Sequence, residues 1–226
     1  MRDTLPADAR LPGVLIPAAL IAAADRFGGQ LYGDCLAGDL VLRDGRAAGL
    51  EPATVPPERL VLPKFTEPHV HLDKCHTIDR MQGIGGGLGD AIAAQAQDRR
   101  IWTAEDIHRR AGRGLQELLS AGCATVRTHV DWGISPDPAA APLAWDILRE
   151  LKEEAPAGVI LQRAALTGAD MMADISYARA CARRVAQSGG VLGAFVLGQP
   201  ERQAGILNTF RAAEEAGLAL DFHVDE

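Results

Sequence analysis

From Leu60 onward the chain alternates short apolar runs with longer helical stretches, and this rhythm leaves few folds open. Residues 60–72, 124–130, 158–165, 191–197 and 218–224 read as strands, the first together with its exit loop. Helices are predicted over 88–98, from Thr103 to Ala121, from Pro142 to about Glu154, over 174–188 and over 200–216. Thr103 with Asp106 three residues on resembles a capping box, and Gly122, Gly189-Gly190 and Gly217 stand where helices stop. Strands separated by helices in this way pair in parallel through right-handed crossovers.

An open doubly wound sheet and a closed barrel share that rhythm, and both place sites at the C-terminal ends of strands. The polar groups gather there, at 67–73, 128–131 and 223–226. No phosphate-binding glycine fingerprint follows the first strand at a helix start, and Gly85-Gly86-Gly87 reads as an active-site loop rather than a phosphate cradle. The expected class is α/β, a partial (β/α)8 TIM-type barrel of about five of the eight βα units, spanning 61–226. Residues 1–60 differ: they are rich in Pro and Gly, and 39–42 with 47–50 form a hairpin about Asp44-Gly45. They are expected to be a small N-terminal β-rich module.

Composition narrows the partners. Hydrophobic residues make up 47% of the 226 and charged residues 23%, in the range of an ordinary globular chain. A net charge of −7 without any Lys/Arg cluster argues against nucleic acid and anionic membranes, leaving a small molecule as the expected partner. Cys35, Cys75, Cys123 and Cys181 form no CxxC pair and read as reduced thiols of a cytoplasmic protein. The apolar run 14–24 follows Arg2 and Arg10 like a secretory leader, but Pro17 interrupts it, and it is read as folded sequence. It is also far short of the ~20 residues a membrane helix needs.

His69-Val70-His71 is the strongest local motif. Residues i and i+2 of a strand share a face, so both imidazoles can converge on one metal, with Glu67 and Asp73 in the same register as supporting partners. The other reading is a pair of solvated or hydrogen-bonded strand-end histidines. His223 at the fifth strand end is a candidate third ligand, and Glu226 a carboxylate able to reach metal-bound water, take its proton and pass it to a leaving nitrogen. His129 and Asp131 share a face of the second strand, where they would support the ligands or simply pack. His76 and His108 carry no signal. There is no GxSxG elbow, and Cys75 beside Lys74 and His76 reads as a loop thiol. The fourth strand, 191–197, offers no bridging carboxylate or lysine, so a single metal is expected.

Three ordered segments carry a resemblance. Phe65-Thr66-Glu67-Pro68-His69-Val70-His71-Leu72-Asp73-Lys74, Val126-Arg127-Thr128-His129-Val130-Asp131 and Asp221-Phe222-His223-Val224-Asp225-Glu226 resemble the cytosine deaminase branch of the amidohydrolase superfamily, which includes enzymes acting on triazines such as isopropylammelide. Ala9-Arg10-Leu11-Pro12 and the 39–50 hairpin are similar to that family's N-terminal β-module. The resemblance implies one divalent ion, Zn or Fe, on His69, His71 and His223, with Glu226 as acid/base. It also implies a further His on a sixth strand and an Asp on an eighth. Neither has a counterpart in this sequence, and the reading expects a truncated barrel. Where cytosine deaminases carry a pyrimidine-binding Gln, this chain reads Ala165-Leu166-Thr167-Gly168-Ala169-Asp170, which argues against cytosine itself. Lys74, Thr167 and Gly168 are the candidate substrate contacts. The function implied is a hydrolase of non-peptide C–N bonds that deaminates or cleaves a cyclic amidine or amide, such as a pyrimidine or triazine, through metal-bound hydroxide. The competing reading is a non-catalytic half-barrel that binds metal or ligand only; either form allows a homo-oligomer.

Overall fold

The computed structural model describes residues 6–82, 84–132 and 137–224. It divides into two units, Met1–Pro63 and Lys64–Glu226.

In the first unit, β1 (Ala9–Pro17) is followed by a short helix α1 (Ala24–Phe27), then β2 (Gln30–Tyr32), β3 (Cys35–Arg43), β4 (Arg46–Glu51) and β5 (Arg59–Leu60). β3 is the spine: β1 runs antiparallel along one side of it, and β2 and β4 share the other. β5 adds in parallel to β1. The hairpin turns at Asp44 and Gly45, with φ of 50° and 72°, the double left-handed geometry of a tight two-residue loop. Val14, Ile16, Leu40 and Leu50 form the core, so the apolar run that begins at Val14 lies partly within a paired strand. Asp39 is buried among them. Its carboxylate accepts from the Thr54 hydroxyl (2.6 Å), the Gly13 amide (2.9 Å), the Thr54 amide (3.1 Å) and Arg10 Nε (3.0 Å). These bonds, that of the Thr54 hydroxyl foremost, hold the group well below the usual carboxylate range against the effect of burial.

The second unit begins with β6 (Phe65–Val70), α2 (Leu88–Arg99) and α3 (Ala104–Ser120). It continues with β7 (Cys123–Asp131), α4 (Leu143–Glu154), β8 (Ile160–Gly168), α5 (Ile175–Ser188), β9 (Val191–Phe195), α6 (Arg202–Ala216) and β10 (Leu220–His223). The five strands pair in parallel in the order β10-β9-β8-β7-β6, as the crossover rule requires. Helix starts follow local chemistry. Thr103 Oγ1 accepts the Asp106 amide at 3.1 Å, and Asp174 accepts the amides of Ser176 and Tyr177. Only half of the expected capping box forms, because the Asp106 carboxylate is taken by arginines. Gly217 ends α6 at φ 65°, a left-handed stop.

Val126, Val130, Leu161 and Leu192 pack outward against the helices, where Trp132 and Trp145 meet edge to face at 4.9 Å. Arg163 is buried against them, 4.3 Å over the Trp145 ring, and donates to the carbonyls of Trp145, Ser188 and Gly189. The opposite face of β7 carries Arg127, His129 and Asp131. Arg127 donates to Asp221 Oδ2 on β10 at 2.6 Å, a contact between strands with β8 and β9 lying between them in the sheet. In a flat sheet strands three places apart would be roughly 14 Å apart, at about 4.8 Å per step. The sheet is therefore curled, which gives a half-barrel and excludes the open doubly wound alternative.

Behind the exit from β6, Arg80 bridges two carboxylates. It donates to Asp98 at 2.6 and 2.9 Å and to Asp106 twice at 2.9 Å, while Trp102 Nε1 also donates to Asp98. Arg110 joins Asp106 to the carbonyls of Asp73 and Cys75. The Arg80 contacts, followed by those of Arg110, hold Asp106 at about 2 despite burial. A depressed carboxylate contributes stability that is complete above its unfolded pKa near 4 and lost as pH falls through about 2. Arg80→Met is expected to cost about 2–3 kcal/mol at pH 7 by leaving both acids short of a partner. Urea unfolding should then show a shallower loss between pH 4 and 2 for the variant than for the parent. Parallel profiles would count against this role.

Candidate metal and substrate site

The end of β6 is pinned by its neighbour. Val70 pairs with Thr128 in register, and the Thr128 hydroxyl accepts the Leu72 amide at 3.0 Å within the buried interior. The chain then enters a 3-10 turn at Leu72–Lys74. This fixes His69 and His71 on either side of the strand's last residue. His129 stands on β7, and His223 is the last residue of β10.

These four rings converge. Their centroids lie between 4.3 Å (His69–His223) and 5.7 Å (His71–His129). Ligand nitrogens of His69, His71 and His223 all lie within 4.8 Å of one another, as do ligand atoms of His129, Asp221 and His223. His71 Nδ1 is buried without a hydrogen-bond partner among the described residues. Burial, then the Lys74 charge, lowers His71 to about 3, and burial, then His129 and His69, lowers His223 to about 4. Both rings are neutral at pH 7, the form in which an imidazole can ligate a cation. Burial also lowers His129, against the pull of Asp221, whose Oδ1 lies 3.2 Å from its Nε2.

Above the rings is a cavity of about 470 Å3. His71, His223, Lys74 and Asp131 line its polar side, and Leu166, Phe195 and Leu197 its apolar wall. Lys74 Nζ donates to Asp131 Oδ1 at 2.9 Å, and Arg99 from α2 takes the other oxygen. Burial pushes the Asp131 carboxyl up, but the two cations outweigh it and hold the group below the usual range. Leu88 and Ile92 of α2, just after the glycine run, also line the cavity.

Not every residue singled out from the sequence arrives at the site. Gly168 lines the cavity, whereas the Thr167 hydroxyl is fully buried and donates to Gly193 O at 2.9 Å. Glu67 accepts the His69 amide, and Asp73 is buried beside a smaller cavity with Trp102. Neither is among the described side chains whose ligand atoms cluster within 4.8 Å. Burial raises Asp73 to about 7. Glu226 lies outside the described residues. His76 pairs with Glu117 and His108 with Glu154, both away from the rings. Sequence reasoning missed Asp221, Arg99 and Asp170. Asp221 was within reach, since it alternates with His223; nothing in a helical arginine announces that it will meet a strand-end aspartate.

No protein-family model matches the chain. A pterin deaminase from Rhizobium rhizogenes is 29% identical over 96% of this chain and 50% of its own length. The crystal structure of 5-methylcytosine deaminase from Klebsiella pneumoniae liganded with 5-fluorocytosine matches with a TM-score of 0.73 at 24% identity, over 96% of this chain and 51% of that one. The same enzyme liganded with phosphonocytosine gives 0.70 at 22% identity, over 95% of this chain and 51% of that one. The chain thus spans about half the length of the relatives it matches. The chain is thus similar in sequence to a pterin deaminase and shares the fold of 5-methylcytosine deaminase.

Proposed function

We propose that this chain carries the metal-binding half of a hydrolase that deaminates a small nitrogen heterocycle. The carrying observation is the meeting of His69, His71 and His223 nitrogens within 4.8 Å at strand C-terminal ends, beside a cavity of ligand size. The donor set fits a divalent ion: all three donors are imidazole nitrogens, which suit Zn or Fe. The buried Nδ1 of His71 has no other partner among the described residues. A bound ion would supply Lewis acidity and activate water towards the ring carbon that bears the leaving nitrogen. Glu226 is the proton carrier in this reading, three residues beyond His223. His129, held by Asp221, supports the ligand rings, and the Lys74–Asp131–Arg99 group orients polar substituents of the ring. Leu166, Phe195 and Leu197 exclude water from its face. The pterin deaminase relative makes an aminopteridine a first substrate to test, with aminopyrimidines and aminotriazines beside it.

Ammonia release from such a panel, measured beside the metal content of the chain, tests the proposal. Glu226→Gln should keep the metal and lower turnover by about 10²–10⁴-fold. Stoichiometric metal with no ammonia from any ring would favour binding without catalysis.

A further inference from the structure

We propose that Asp170 is the discriminating group of this cavity, a carboxylate that selects flat heterocycles presenting two adjacent N–H donors. The inference rests on the heterocycle-hydrolase reading above and names the substrate edge that this site would take.

Asp170 follows the end of β8 and lines the same cavity as His71 and His223. It stands at the head of the 3-10 turn Met171–Ala173, where an aspartate ordinarily caps, yet its side chain makes no cap bond. Asp174, four residues on, does cap its helix. The carboxylate of Asp170 has no hydrogen-bond or ion-pair partner among the described residues, and the residue is exposed. The two cations of the cavity are already committed, since Lys74 and Arg99 both hold Asp131. A carboxylate spared from structural duty in a ligand-sized cavity is an acceptor for donors brought by the ligand.

Its carboxylate occupies space that a side chain on Gly168 would take. A methyl group on Gly168 would collide with Asp170 Oδ1 and stand 3.3 Å from Phe195 Cζ. The missing side chain therefore makes room for the carboxylate beside an aromatic ring. Such a pair reads a planar ligand twice, by its face on Phe195 and by its edge on Asp170. A 2-amino-4-oxo ring in its lactam form offers a ring N–H and an adjacent amino N–H, two parallel donors that match a carboxylate. The 2,4-dioxo ring replaces the amino donor by a carbonyl, which the carboxylate repels. The site should prefer the first.

The test uses 2-amino-4-oxopteridine and 2,4-dioxopteridine, titrated by their fluorescence into the metal-loaded chain with turnover blocked by Glu226→Gln. The amino ring should bind at least about tenfold more tightly than the dioxo ring. Adding Asp170→Asn should weaken the amino ring by about tenfold or more and leave the dioxo ring bound as tightly or more tightly, since the repelling charge is gone. Gly168→Ala, which displaces the carboxylate but keeps its charge, should erase the same preference. Metal content should be unchanged in both. Equal effects on the two rings, or none, would overturn the role of Asp170 while bound metal left the hydrolase reading standing. Failure of the amino ring to bind a metal-loaded chain overturns the inference alone; failure to bind both that ring and metal overturns both.

Discussion

His71→Ala is expected to abolish binding of a divalent ion at the proposed site. The parent chain, dialysed against a fixed low concentration of Zn or Fe, should retain about one ion per chain. The variant should lose affinity by more than the roughly 10–100-fold that removal of a mere supporting partner costs. Elemental analysis reads this directly, and thermal unfolding reads it again: an ion at 100 times its Kd stabilises the parent by about 2.7 kcal/mol, a shift the variant should not show. His129→Ala should fall between them, because its ring packs on His69 at 4.5 Å without joining the three clustered nitrogens of His69, His71 and His223. His108→Ala, whose ring pairs with Glu154, should match the parent. Equal metal in the parent and His71→Ala would remove the basis of the proposed site.

Gly205→Ala should be the most damaging small substitution in the barrel unit. A Cβ at Gly205 would stand far inside van der Waals contact of the Ala169 carbonyl oxygen, so α6 could not keep its seat. On the same helix Asn208 donates to the carbonyls of Met172 and Ala173, at 3.2 and 2.8 Å, and fixes the turn that follows Asp170. Backbone meets backbone here, and no rotamer relieves it. The expected loss is about 3 kcal/mol, or roughly 10 °C in Tm for a unit of this size. Gly89→Ala in α2 meets nothing within 4 Å and should be neutral or stabilising by up to about 1 kcal/mol. If Gly205→Ala unfolds at the parent's temperature, the close approach of α6 to the Ala169 loop is wrong.

Much of this architecture was readable from the sequence, for identifiable reasons. Helix limits followed caps and stops that act locally, as at Thr103, Asp174 and Gly217. The hairpin followed from Asp44-Gly45, since few residue pairs accept two positive φ angles in succession. The three metal-ligand candidates were legible because strand alternation and strand ends are properties of short segments. The partners that order them were not. Arg127 meets Asp221, and Arg99 meets Asp131, only because the sheet curls and α2 returns over its end. Such pairings depend on tertiary closure, to which no local periodicity points. Asp170 escaped for a different reason. An aspartate before a helical turn looks like a cap, and only the missing cap bond separates it from one.

The stacking of His69 on His223 at 4.3 Å has a kinetic consequence. The two rings come from the outer strands of the sheet and from opposite ends of the barrel unit's sequence. Bringing them together closes nearly the whole unit as one loop, so the contact carries a large closure entropy and should form late. An ion gripping both rings would act as a clasp across the seam. Its capture during refolding would then time the final curling of the sheet, after the helices and central strands had formed.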